Sequence, residues 1–564
     1  MIDDANGVPS GTCMAADVCV IGGGASGISL ALSLSGKGIS VLVLESGGIK
    51  QDKRTQALYK GEVANDALHS PPDKYRLRCF GGSTVIWGGR CVPFDPIDFE
   101  ARDYLGLAGW PITYADVAPF YRRANALAEA GQFEYDADKM ADLASHPMIA
   151  GFRSAVVRTN SLERFSCPTN FARRYARRLQ RAADVQIVMG ANCTAIRMRP
   201  DGEQVASLDV ATLAGNKFSV SASLYVLAVG GLETARLLLA SRDVRESGVG
   251  NEHGVVGRYY MCHIAGNTGK LSINGPTTRV RHGYEVAPEG VYCRRRLSLA
   301  PSEQRRMGLL NMTARLHFPS IPDPSHRNGV LSGLYLARGA ISYEYGKRLS
   351  GGGKTSFTTY ARHCRNVLMN PIDICAFLSH WIVNRTLAER KYPSVILRNK
   401  DNRFSLEINA EQLPQASSRV TLVNTVDELG LPHLKVDWRY SPADIDSVRR
   451  TLDAFSTEFQ ESGVGRLEFD HETLEADLTR FGAYGGHHIG TARMGTDVHN
   501  SVVNSDCRVH SVRNLYVAGS AVFATSSQAN PTLTIIALCL RLAEHLLHRV
   551  GKSALSDRVV GTDA

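Results

Sequence analysis

Two neighbouring histidines, His487 and His488, lie in the run GGHHIGTARMG near the C-terminal end of the sequence. Because the pKa of an imidazole lies near neutrality, such a side chain is suited to accept a proton from a substrate. A metal site is the alternative, but neighbouring residues on a strand point in different directions and no H-x-E spacing accompanies the pair. The pattern therefore argues against a metal site and leaves open whether either histidine is a base or a hydrogen-bonded core residue. An ordinary hydrogen-bonded core position is the expectation for the other candidates, His263, His488, His499 and His510.

A second candidate site is the glycine-rich turn GGGASG, which spans residues 22–27. Gly22 permits a tight turn, Gly24 lets the backbone approach a pyrophosphate, and Gly27 lets a helix pack closely on a strand. The N–H groups at the start of the following helix are available to phosphate oxygens. Glu45 follows Gly24 by 21 residues, close to the spacing of about 20 expected for an acid that holds a ribose hydroxyl. The turn and the acid together predict a dinucleotide site.

These glycines need a frame of secondary structure before they can hold a phosphate. Asp17–Ile21 is an apolar run that predicts a strand, and the helical spacing of apolar residues over 28–34 stops at the glycines of 36–38. A second apolar run, Ile39–Leu44, leads directly to the acid. Strand, turn, helix, strand and acid in this order predict a β-α-β unit with a right-handed crossover and a parallel sheet. A tight turn in an ordinary α/β sheet without a cofactor is the alternative.

Two further segments have compositions suited to a planar ligand. In RCFGGSTVIWGGR, residues 78–90, two glycine pairs bracket small hydroxyl side chains and Trp87, so that backbone N–H groups can lie flat against a ring. The segment LYVAGSAVFATSSQANPTLTIIAL, residues 515–538, begins with a strand that ends in a Gly-Ser pair. Pro531 suits the first turn of the apolar final helix, whose positive N-terminus would lie inside the protein and favour an anion or an electron-rich acceptor.

Together these three segments resemble the glucose-methanol-choline flavoprotein oxidoreductases. The resemblance covers essentially the whole chain and includes the stretches GNEHGVVGRYYMCH and EQLPQASSRVTLV. In that family the glycine-turn unit binds FAD, and the C-terminal segment brings a histidine and an asparagine or a second histidine to the flavin. The family's H-x-x-G-T-x-x-M pattern begins here at His487, and the asparagine of its N-P-T-L-T segment is Asn530. The resemblance therefore implies that His487 and Asn530 are catalytic.

The resemblance also implies FAD as the cofactor, bound without a covalent link at the segment 78–90. Some relatives attach FAD through a histidine just before the tryptophan, but the residue before Trp87 here is Ile86. The GGST segment and the asparagine before Pro531 are most similar to the branch of pyranose oxidases, glycoside oxidases and bacterial sugar dehydrogenases. The residues predicted to bind the cofactor are Gly22, Gly24, Ala25, Ser26, Gly27, Glu45, Arg78, Gly81, Gly82, Ser83, Thr84, Trp87, Gly88, Cys193, Gly519, Ser520, Asn530, Pro531 and Thr532.

The predicted fold class is α/β, with a Rossmann-like FAD-binding domain on a parallel sheet and a substrate-binding domain on a mainly antiparallel sheet with helices. Apolar and charged residues alternate over 434–439 as in a half-solvated strand, and residues 441–463 have the caps and stripe of an amphipathic helix. Residues 350–354, SGGGK, predict a flexible loop and no phosphate loop, because no apolar strand precedes them. The predicted ranges are 1–264 and 481–550 for FAD binding, 265–480 for the substrate, and 551–564 for a tail.

The composition is that of a folded globular protein, with 44% of the 564 residues hydrophobic and 21% charged. The net charge of +9 is spread along the chain, and its densest basic stretch, 173–181, is interleaved with apolar residues at helical spacing. We interpret that stretch as the solvated face of a helix, which argues against nucleic-acid binding. Single cysteines without a C-x-x-C pair and the absence of a recognisable signal peptide predict a cytoplasmic location. The apolar run 533–547 is interrupted by charges, so no membrane span is predicted.

The predicted function is oxidation of a CH–OH group to a carbonyl, with the hydride passing to flavin N5 and the hydroxyl proton to His487. The substrate is expected to be a sugar, a glycoside or a sugar-like natural product such as an aminoglycoside, and the electron acceptor oxygen or another compound. A non-sugar alcohol oxidase, a non-redox lyase of the same family, a nicotinamide dehydrogenase and a binding protein with a vestigial site are the alternatives. The sequence leaves open the oligomeric state and whether His488 shares the catalytic role.

Overall fold

The structure is a computed structural model that describes residues 1–340, 356–397, 399, 401–480, 482–483 and 486–560. The loop predicted at residues 350–354 lies outside the described residues. The predicted tail is described only as far as Val560, where the final helix ends.

The strands are named in chain order. They are β1 (Ile2–Asp4), β2 (Cys13–Ile21), β3 (Val41–Glu45), β4 (Gly61–Val63), β5 (Arg90–Cys91), β6 (Val157–Phe165), β7 (Val185–Met189), β8 (Asn192–Met198), β9 (Val205–Ala211), β10 (Lys217–Leu227), β11 (Ile264–Ile273), β12 (Glu285–Val286), β13 (Tyr292–Leu299), β14 (Met312–His317), β15 (Arg403–Ala410), β16 (Arg419–Val426), β17 (Pro432–Asp437), β18 (Gly465–Glu468) and β19 (Leu515–Val517).

The α-helices are named in the same way. They are α1 (Ala25–Leu34), α2 (Lys53–Ala57), α3 (Pro96–Phe99), α4 (Tyr114–Leu127), α5 (Ala141–Ala144), α6 (Phe171–Arg181), α7 (Gly231–Ala240), α8 (Pro301–Met307), α9 (Gly329–Leu336), α10 (Phe357–Met369), α11 (Pro371–Trp381), α12 (Pro442–Glu461), α13 (Leu474–Thr479) and α14 (Thr532–Val560). A short π-helix, Ile382–Leu387, continues α11.

The first sheet contains the parallel strands predicted from the glycine turn. Its order is β1-β7-β3-β2-β10-β9-β8, and β19 pairs with the end of β10. The strands β1, β7, β3, β2 and β10 run parallel to one another, and β19 runs parallel to β10. The strands β9 and β8 form an antiparallel edge beside β10. Because Tyr225–Leu227 pairs with Leu515–Val517, the early and late parts of the chain share one sheet.

The second sheet is antiparallel, as predicted, with the order β18-β11-β15-β14-β13-β6-β5 and β12 added to β13. These strands pair in the antiparallel sense throughout. Two of them, β5 and β6, precede residue 264 in the chain, so this sheet does not coincide with the range 265–480. The α/β fold class is confirmed, and the domain ranges remain predictions.

The alternating residues 434–439 lie in a third, small sheet. Its order is β16-β17-β4, with β16 antiparallel to β17 and β4 parallel to it. The alternation correctly predicted a strand with one solvated face. It carried no information on the partner, and β4 comes from the N-terminal part of the chain, so this strand lies outside the large antiparallel sheet.

The glycine turn forms because two of its positions exclude a side chain. Gly22, directly after β2, has a φ of 107°, a conformation that favours glycine. A Cβ on Gly27 would lie 1.9 Å from the Gly22 carbonyl oxygen, so only a glycine lets α1 pack this closely on the turn. The helix N-terminus is thereby held against the ends of the parallel strands, where a phosphate would meet its N–H groups.

Helices predicted from apolar spacing are confirmed. In α6, Phe171, Tyr175 and Leu179 are buried and the arginines face solvent. In α12, Ser441 and Asp444 form a capping box, and the apolar stripe is buried. The final helix α14 packs against α1 and α4. Across the described residues, we find no helix with the length and apolarity needed to cross a membrane.

Candidate active site

A single cavity of about 450 Å³ brings together most of the predicted site residues. Its walls come from the glycine turn, the segment 78–90, the C-terminal segment and the antiparallel sheet. The predicted residues that line it are Gly22, Gly24, Ala25, Ser26, Glu45, Arg78, Gly82, Ser83, Thr84, Trp87, Gly88, Cys193, His487, Ser520, Asn530, Pro531 and Thr532.

Three predicted residues, Gly27, Gly81 and Gly519, do not line the cavity but support its wall. Gly27 packs on Gly22, as described above. The Gly81 N–H donates a hydrogen bond of 2.8 Å to the Gly23 carbonyl, which joins the segment 78–90 to the turn. A Cβ on Gly519 would lie 3.3 Å from Ser26 Oγ, so the C-terminal segment approaches α1 closely. These glycines shape the site without facing a ligand.

The two glycine segments meet at one wall of the cavity, which we call the cradle. A Cβ on Gly24 would lie 3.9 Å from Gly82 Cα, and a Cβ on Gly82 would lie only 3.1 Å from Gly24 Cα. The 3₁₀ turn Gly82–Val85 is closed by the Thr84 hydroxyl, which donates to the Gly81 carbonyl at 2.6 Å. Two backbones without side chains thus approach each other closely beside the cavity, where no side chain would keep a pyrophosphate from the backbone.

Glu45 ends β3 and lies directly beside this cradle. Its Oε2 accepts the Gly23 N–H at 2.7 Å, and its Oε1 accepts the Gly47 N–H at 2.7 Å. Burial raises the pKa of this carboxyl, while the two backbone N–H groups and Arg78 act in the opposite direction. The Ser46 side chain also bonds this carboxylate, and of its roughly four acceptor sites one remains for a further hydrogen bond. The acid therefore fixes the turn and can also accept a hydroxyl from the cavity.

Arg78 belongs to a group of charged residues whose other members, Arg76, Glu233 and Arg236, were not predicted from the sequence. Glu233, on α7, lies 3.0 Å from Arg76, 3.3 Å from Arg78 and 3.3 Å from Arg236. Burial alone would raise the pKa of Glu233, but the three guanidinium groups outweigh it and lower the pKa to about 2. The available signal was the glycine pair after β10, which repeats the strand, glycine and helix order of the first turn.

His487 and Asn530 meet at the other end of the cavity. Asn530 Nδ2 donates to His487 Nε2 at 3.2 Å, and His487 Nδ1 has no hydrogen-bond partner among the described residues. The accepting Nε2 therefore carries a lone pair, and the proton of the neutral ring is on Nδ1. Burial, then His263 and then Arg90 lower the pKa of His487 well below its usual value. The ring is held neutral and able to accept a proton.

His488 lines the same cavity, but a chain of hydrogen bonds fixes it. Its Nδ1 lies 2.7 Å from the Tyr260 hydroxyl, which lies 2.8 Å from His69 Nε2, and His69 Nδ1 lies 2.6 Å from the Ser70 carbonyl. Because that carbonyl only accepts, each proton of the chain is assigned: His488 Nδ1 donates to Tyr260, and Tyr260 donates to His69. His488 Nε2 is left with a lone pair and no partner among the described residues.

The same cluster is the one arrangement in the described chain that could hold a metal ion. His69, Cys262 and His488 bring their ligand atoms within 4.8 Å of one another. The Tyr260 hydroxyl is bonded to both imidazoles, and the Cys262 thiol donates to it at 3.3 Å. Burial raises the pKa of Cys262 to about 12, which opposes a thiolate ligand. Hydrogen bonds account for this cluster without a metal.

The other histidines divide between the core and the surface. His263 is buried as predicted, with Nδ1 donating to the Ser527 carbonyl at 3.1 Å, and its ring lies 4.8 Å from that of His487. His510 is partly buried and bonded to Ser501. His499 is exposed, so the expectation of a core position was wrong for this residue. Its neighbours offer no apolar cover that would keep it inside.

We define the reaction end of the cavity by His487 and Asn530. The cavity is also lined by residues that no feature of the sequence had selected. They come from β5, β6, β13, β14 and β15, from the position before β12, from the π-helix and from the segment that follows it. They are Arg90, Phe165, Tyr284, Arg294, His317, Arg385, Pro393, Ser394, Val395 and Glu407.

The residues present fit FAD. The cradle, where two glycine backbones meet at the cavity wall, suits a pyrophosphate, and the Glu45 carboxylate, which lines the cavity, suits a ribose. Trp87, held by a 2.9 Å hydrogen bond from Nε1 to the Thr169 carbonyl, and the half-exposed Ile86 line the cavity between the two ends. The N-terminus of α14 begins directly after Asn530 and Pro531, at the reaction end, where it favours negative charge.

Comparison with known proteins agrees with this geometry. A family model described as FAD dependent oxidoreductase matches residues 17–328, more than half of the chain, and one described as GMC oxidoreductase matches residues 414–539. The chain is 25% identical to 6'''-hydroxyparomomycin C oxidase of Streptomyces lividus, over 94% of this chain and 92% of that protein. It is 23% identical to 2-methyl-1,2-propanediol dehydrogenase of Mycolicibacterium austroafricanum, over 94% and 95% of the two chains.

A shorter and closer match is C-glycoside 3-oxidase of Arthrobacter globiformis, 33% identical over 26% of this chain and 28% of that protein. Among solved structures, pyridoxine 4-oxidase from Mesorbium loti has the same fold, with a TM-score of 0.54 and 17% identity over 94% of this chain and 99% of that chain. The matched ranges include both the glycine turn and the segment with His487 and Asn530. The chain therefore belongs to the FAD-dependent oxidoreductases, and within them to the GMC oxidoreductase family.

Proposed function

We propose that this enzyme oxidises a CH–OH group of a sugar, a glycoside or a sugar-like natural product to a carbonyl, with His487 as the general base. The observation that carries the proposal is the 3.2 Å contact between Asn530 Nδ2 and His487 Nε2 inside a cavity whose other end fits a dinucleotide. An alcohol oxidation needs a group that removes the hydroxyl proton as the carbon loses its hydride. A neutral imidazole with its lone pair facing the cavity is such a group.

The two residues divide the work on the hydroxyl. Asn530 now occupies the lone pair of His487 with an amide N–H, and an alcohol that enters between them would take over that bond by donating its proton to Nε2. The amide of Asn530 then bonds the hydroxyl oxygen and fixes its direction without competing for the proton. The hydroxyl proton ends on Nε2, and the alcohol carbon becomes a carbonyl.

Bound FAD would supply the two-electron acceptor for the substrate hydride. The N-terminus of α14 contributes N–H groups where negative charge develops at the reaction end. Ile86, in place of a linking histidine before Trp87, supports non-covalent attachment. Acid precipitation of the purified yellow protein should leave the colour in the supernatant. A yellow precipitate would show that another residue forms a covalent link.

The substrate class is supported by the names of the relatives. Two that match over most of this chain are an oxidase of hydroxyparomomycin and paromamine 6'-oxidase of Streptomyces fradiae, and a third, shorter match is a C-glycoside 3-oxidase. All three names specify oxidation of a carbohydrate. A small non-sugar alcohol is the second candidate, because 2-methyl-1,2-propanediol dehydrogenase matches over an equal share of the chain.

Anaerobic reduction of the bound flavin tests this proposal. The holoenzyme is mixed without oxygen with a panel of monosaccharides, glycosides and short diols, and bleaching of the flavin absorbance is followed by stopped flow. We expect carbohydrates to bleach it faster than the diols, with no added nicotinamide. If dithionite bleaches the flavin but no alcohol of the panel does, CH–OH oxidation of these classes is contradicted. Readmission of air then shows whether oxygen serves as electron acceptor.

A further inference from the structure

The cavity is rich in arginine. Arg90, Arg294 and Arg385 line the same cavity as His487 and Asn530. The three arginines come from β5, from β13 and from the π-helix, which are far apart in the chain. Folding therefore collects positive charge around the place where the substrate would be oxidised.

Carboxylates compensate only part of this charge. Arg90 Nε lies 3.2 Å from Glu163, and Arg294 Nη1 lies 4.0 Å from Glu407. Arg315, which does not line the cavity, lies 3.0 Å from Glu163 and 3.1 Å from Glu407. Two carboxylates thus already share three guanidinium groups.

Arg385 adds a further cation without a carboxylate partner among the described residues. Its Nη1 donates to the carbonyls of Tyr392 and Pro393, at 2.5 and 2.8 Å. Counted over these six described side chains alone, four guanidinium groups accompany two carboxylates, a difference of two positive charges. Adding Arg296 and Asp95, which act on each other electrostatically, leaves the excess unchanged.

Arg90 has the donors that a ligand would use. Apart from the Nε contact with Glu163, it makes no hydrogen bond with the described residues, and its side chain is 25% exposed although it lines an internal cavity. Its terminal nitrogens therefore face the cavity space. Arg90 and His487 line one cavity, and the charge of Arg90 is among the causes that lower the pKa of His487. A planar guanidinium with two free nitrogens matches a carboxylate or phosphate group in a two-point contact.

We propose that the carbohydrate this enzyme oxidises carries an oxyanion, a carboxylate or a phosphate, which Arg90 binds and which Arg294 and Arg385 attract. The inference rests on the proposed function, since it describes the substrate of that same site. The same excess of positive charge would repel a protonated amino sugar. The three arginines would thus favour carbohydrates that carry a negative charge over neutral or positively charged ones.

Matched glucosides test the inference on the holoenzyme. Phenyl β-glucoside, 4-carboxyphenyl β-glucoside and 4-(aminomethyl)phenyl β-glucoside have the same ring hydroxyls and differ only in charge. Anaerobic flavin reduction gives the apparent second-order rate constant for each. We expect the carboxylate to exceed the neutral compound by about tenfold or more and the ammonium to fall below it. Methyl β-glucuronide and glucose 6-phosphate, compared with methyl β-glucoside, show which oxyanion is preferred when it is on the sugar.

Variants separate recognition from general effects on the active site. Arg90→Gln should lower the ratio of the carboxylate rate constant to the neutral one by about tenfold or more. Because both compounds meet the same His487, the ratio cancels changes in the base. Arg90→Lys should retain part of the preference, since it keeps the charge but loses the two-point contact. Arg305→Gln removes an exposed arginine paired with Glu100, and should leave the ratio unchanged.

Equilibrium binding gives a readout without turnover. Titration of the holoenzyme, first reduced with dithionite so that it cannot oxidise the sugar, with 4-carboxyphenyl β-glucoside under nitrogen and followed by calorimetry should show weaker binding for Arg90→Gln and Arg385→Gln than for Arg305→Gln. Equal rate constants for the three phenyl glucosides, or an unchanged ratio in folded Arg90→Gln (in Arg90→Lys, if the first variant does not fold) and in Arg385→Gln, would overturn the inference and leave carbohydrate oxidation standing. If no carbohydrate reduces the flavin, the proposed function fails and the inference fails with it.

Discussion

The two adjacent histidines of the active site differ in what holds them. His487 is bonded through Nε2 to an amide that can yield to a substrate, and its Nδ1 has no partner in the part of the chain that the structure describes. His488 is fixed through Nδ1 by Tyr260, and through it by His69. Both rings are enclosed, and burial is the main cause that lowers the pKa of each. Burial and the direction of the pKa shift therefore do not distinguish a base from a structural residue. The hydrogen-bond partner does: His487 is bonded to Asn530 and His488 to Tyr260.

Removal of His487 should have the largest effect. A general base contributes about 10²–10⁴-fold, so His487→Ala should slow flavin reduction by about that factor while FAD stays bound. His488→Ala should slow flavin reduction much less, because Asn530, which we assign to the substrate hydroxyl, is bonded to His487 and not to His488. Stopped-flow reduction measures both, and His510→Ala serves as a control for loss of an imidazole elsewhere. A larger effect for His488→Ala would reverse the assignment.

Loss of the amide should come next. Asn530→Ala removes a hydrogen bond to a hydroxyl that is losing its proton, worth about 1.5–3 kcal/mol, which corresponds to about 10–150-fold in the reduction rate. Since Asn530 and His487 act on one hydroxyl, the double variant should lose less than the two single losses multiplied together. Strict multiplication of the two effects would show that the residues act on separate steps.

Tyr260→Phe should affect stability more than rate. The change leaves His488 Nδ1 and His69 Nε2 without the hydroxyl that joins them, and a buried unpaired polar group costs about 1–3 kcal/mol. We expect a lower melting temperature and a reduction rate within about tenfold of the parent. Tyr121→Phe, which removes a buried hydroxyl bonded to Thr534, is the matched control. A loss of rate as large as that of His487→Ala would mean that the chain through Tyr260 carries the substrate proton.

The smallest expected effect is that of mild acid. Because burial, His263 and Arg90 lower the pKa of His487, the base stays unprotonated below its usual value of 6.5. The limiting rate of flavin reduction should therefore be nearly flat from pH 8 down to pH 6.5, and should fall only at lower pH. In Arg90→Gln the acid limb should move upward, since one cause of the lowered pKa is gone. If the rate of the parent enzyme already falls to half near pH 6.5, the pKa of His487 is not lowered by its surroundings.

The dinucleotide end of the cavity was predictable from local sequence, and most of the reaction end was not. Gly22, Gly24 and Gly27 act through a turn, a strand and a helix that are neighbours in the chain, so their spacing carries the information. His487 and Asn530 were selected through the family resemblance, because nothing local distinguishes His487 from His488. Their roles remain predictions.

Arg90, Arg294 and Arg385 could not be found in this way. Arg294 and Arg385 lie in segments with no motif of their own, and Arg90 ends the glycine-rich segment 78–90, whose pattern did not single it out. The three arginines line one cavity only when β5 and β13 join one antiparallel sheet and the π-helix lies beside it. The same reason explains the third sheet, where the alternation over 434–439 predicted a strand but not its partner β4. Contacts between distant segments have no local periodicity to reveal them.

The pairing of β10 with β19 has a consequence for the order of biosynthesis. While the chain is being made, the last strand of the first sheet leaves the ribosome long after the glycine turn, and until then the end of β10 has a free edge. Asn530, Pro531 and the start of α14 emerge later still. A growing chain therefore cannot close the cofactor cradle early, and retention of FAD reports that translation has passed the C-terminal segment.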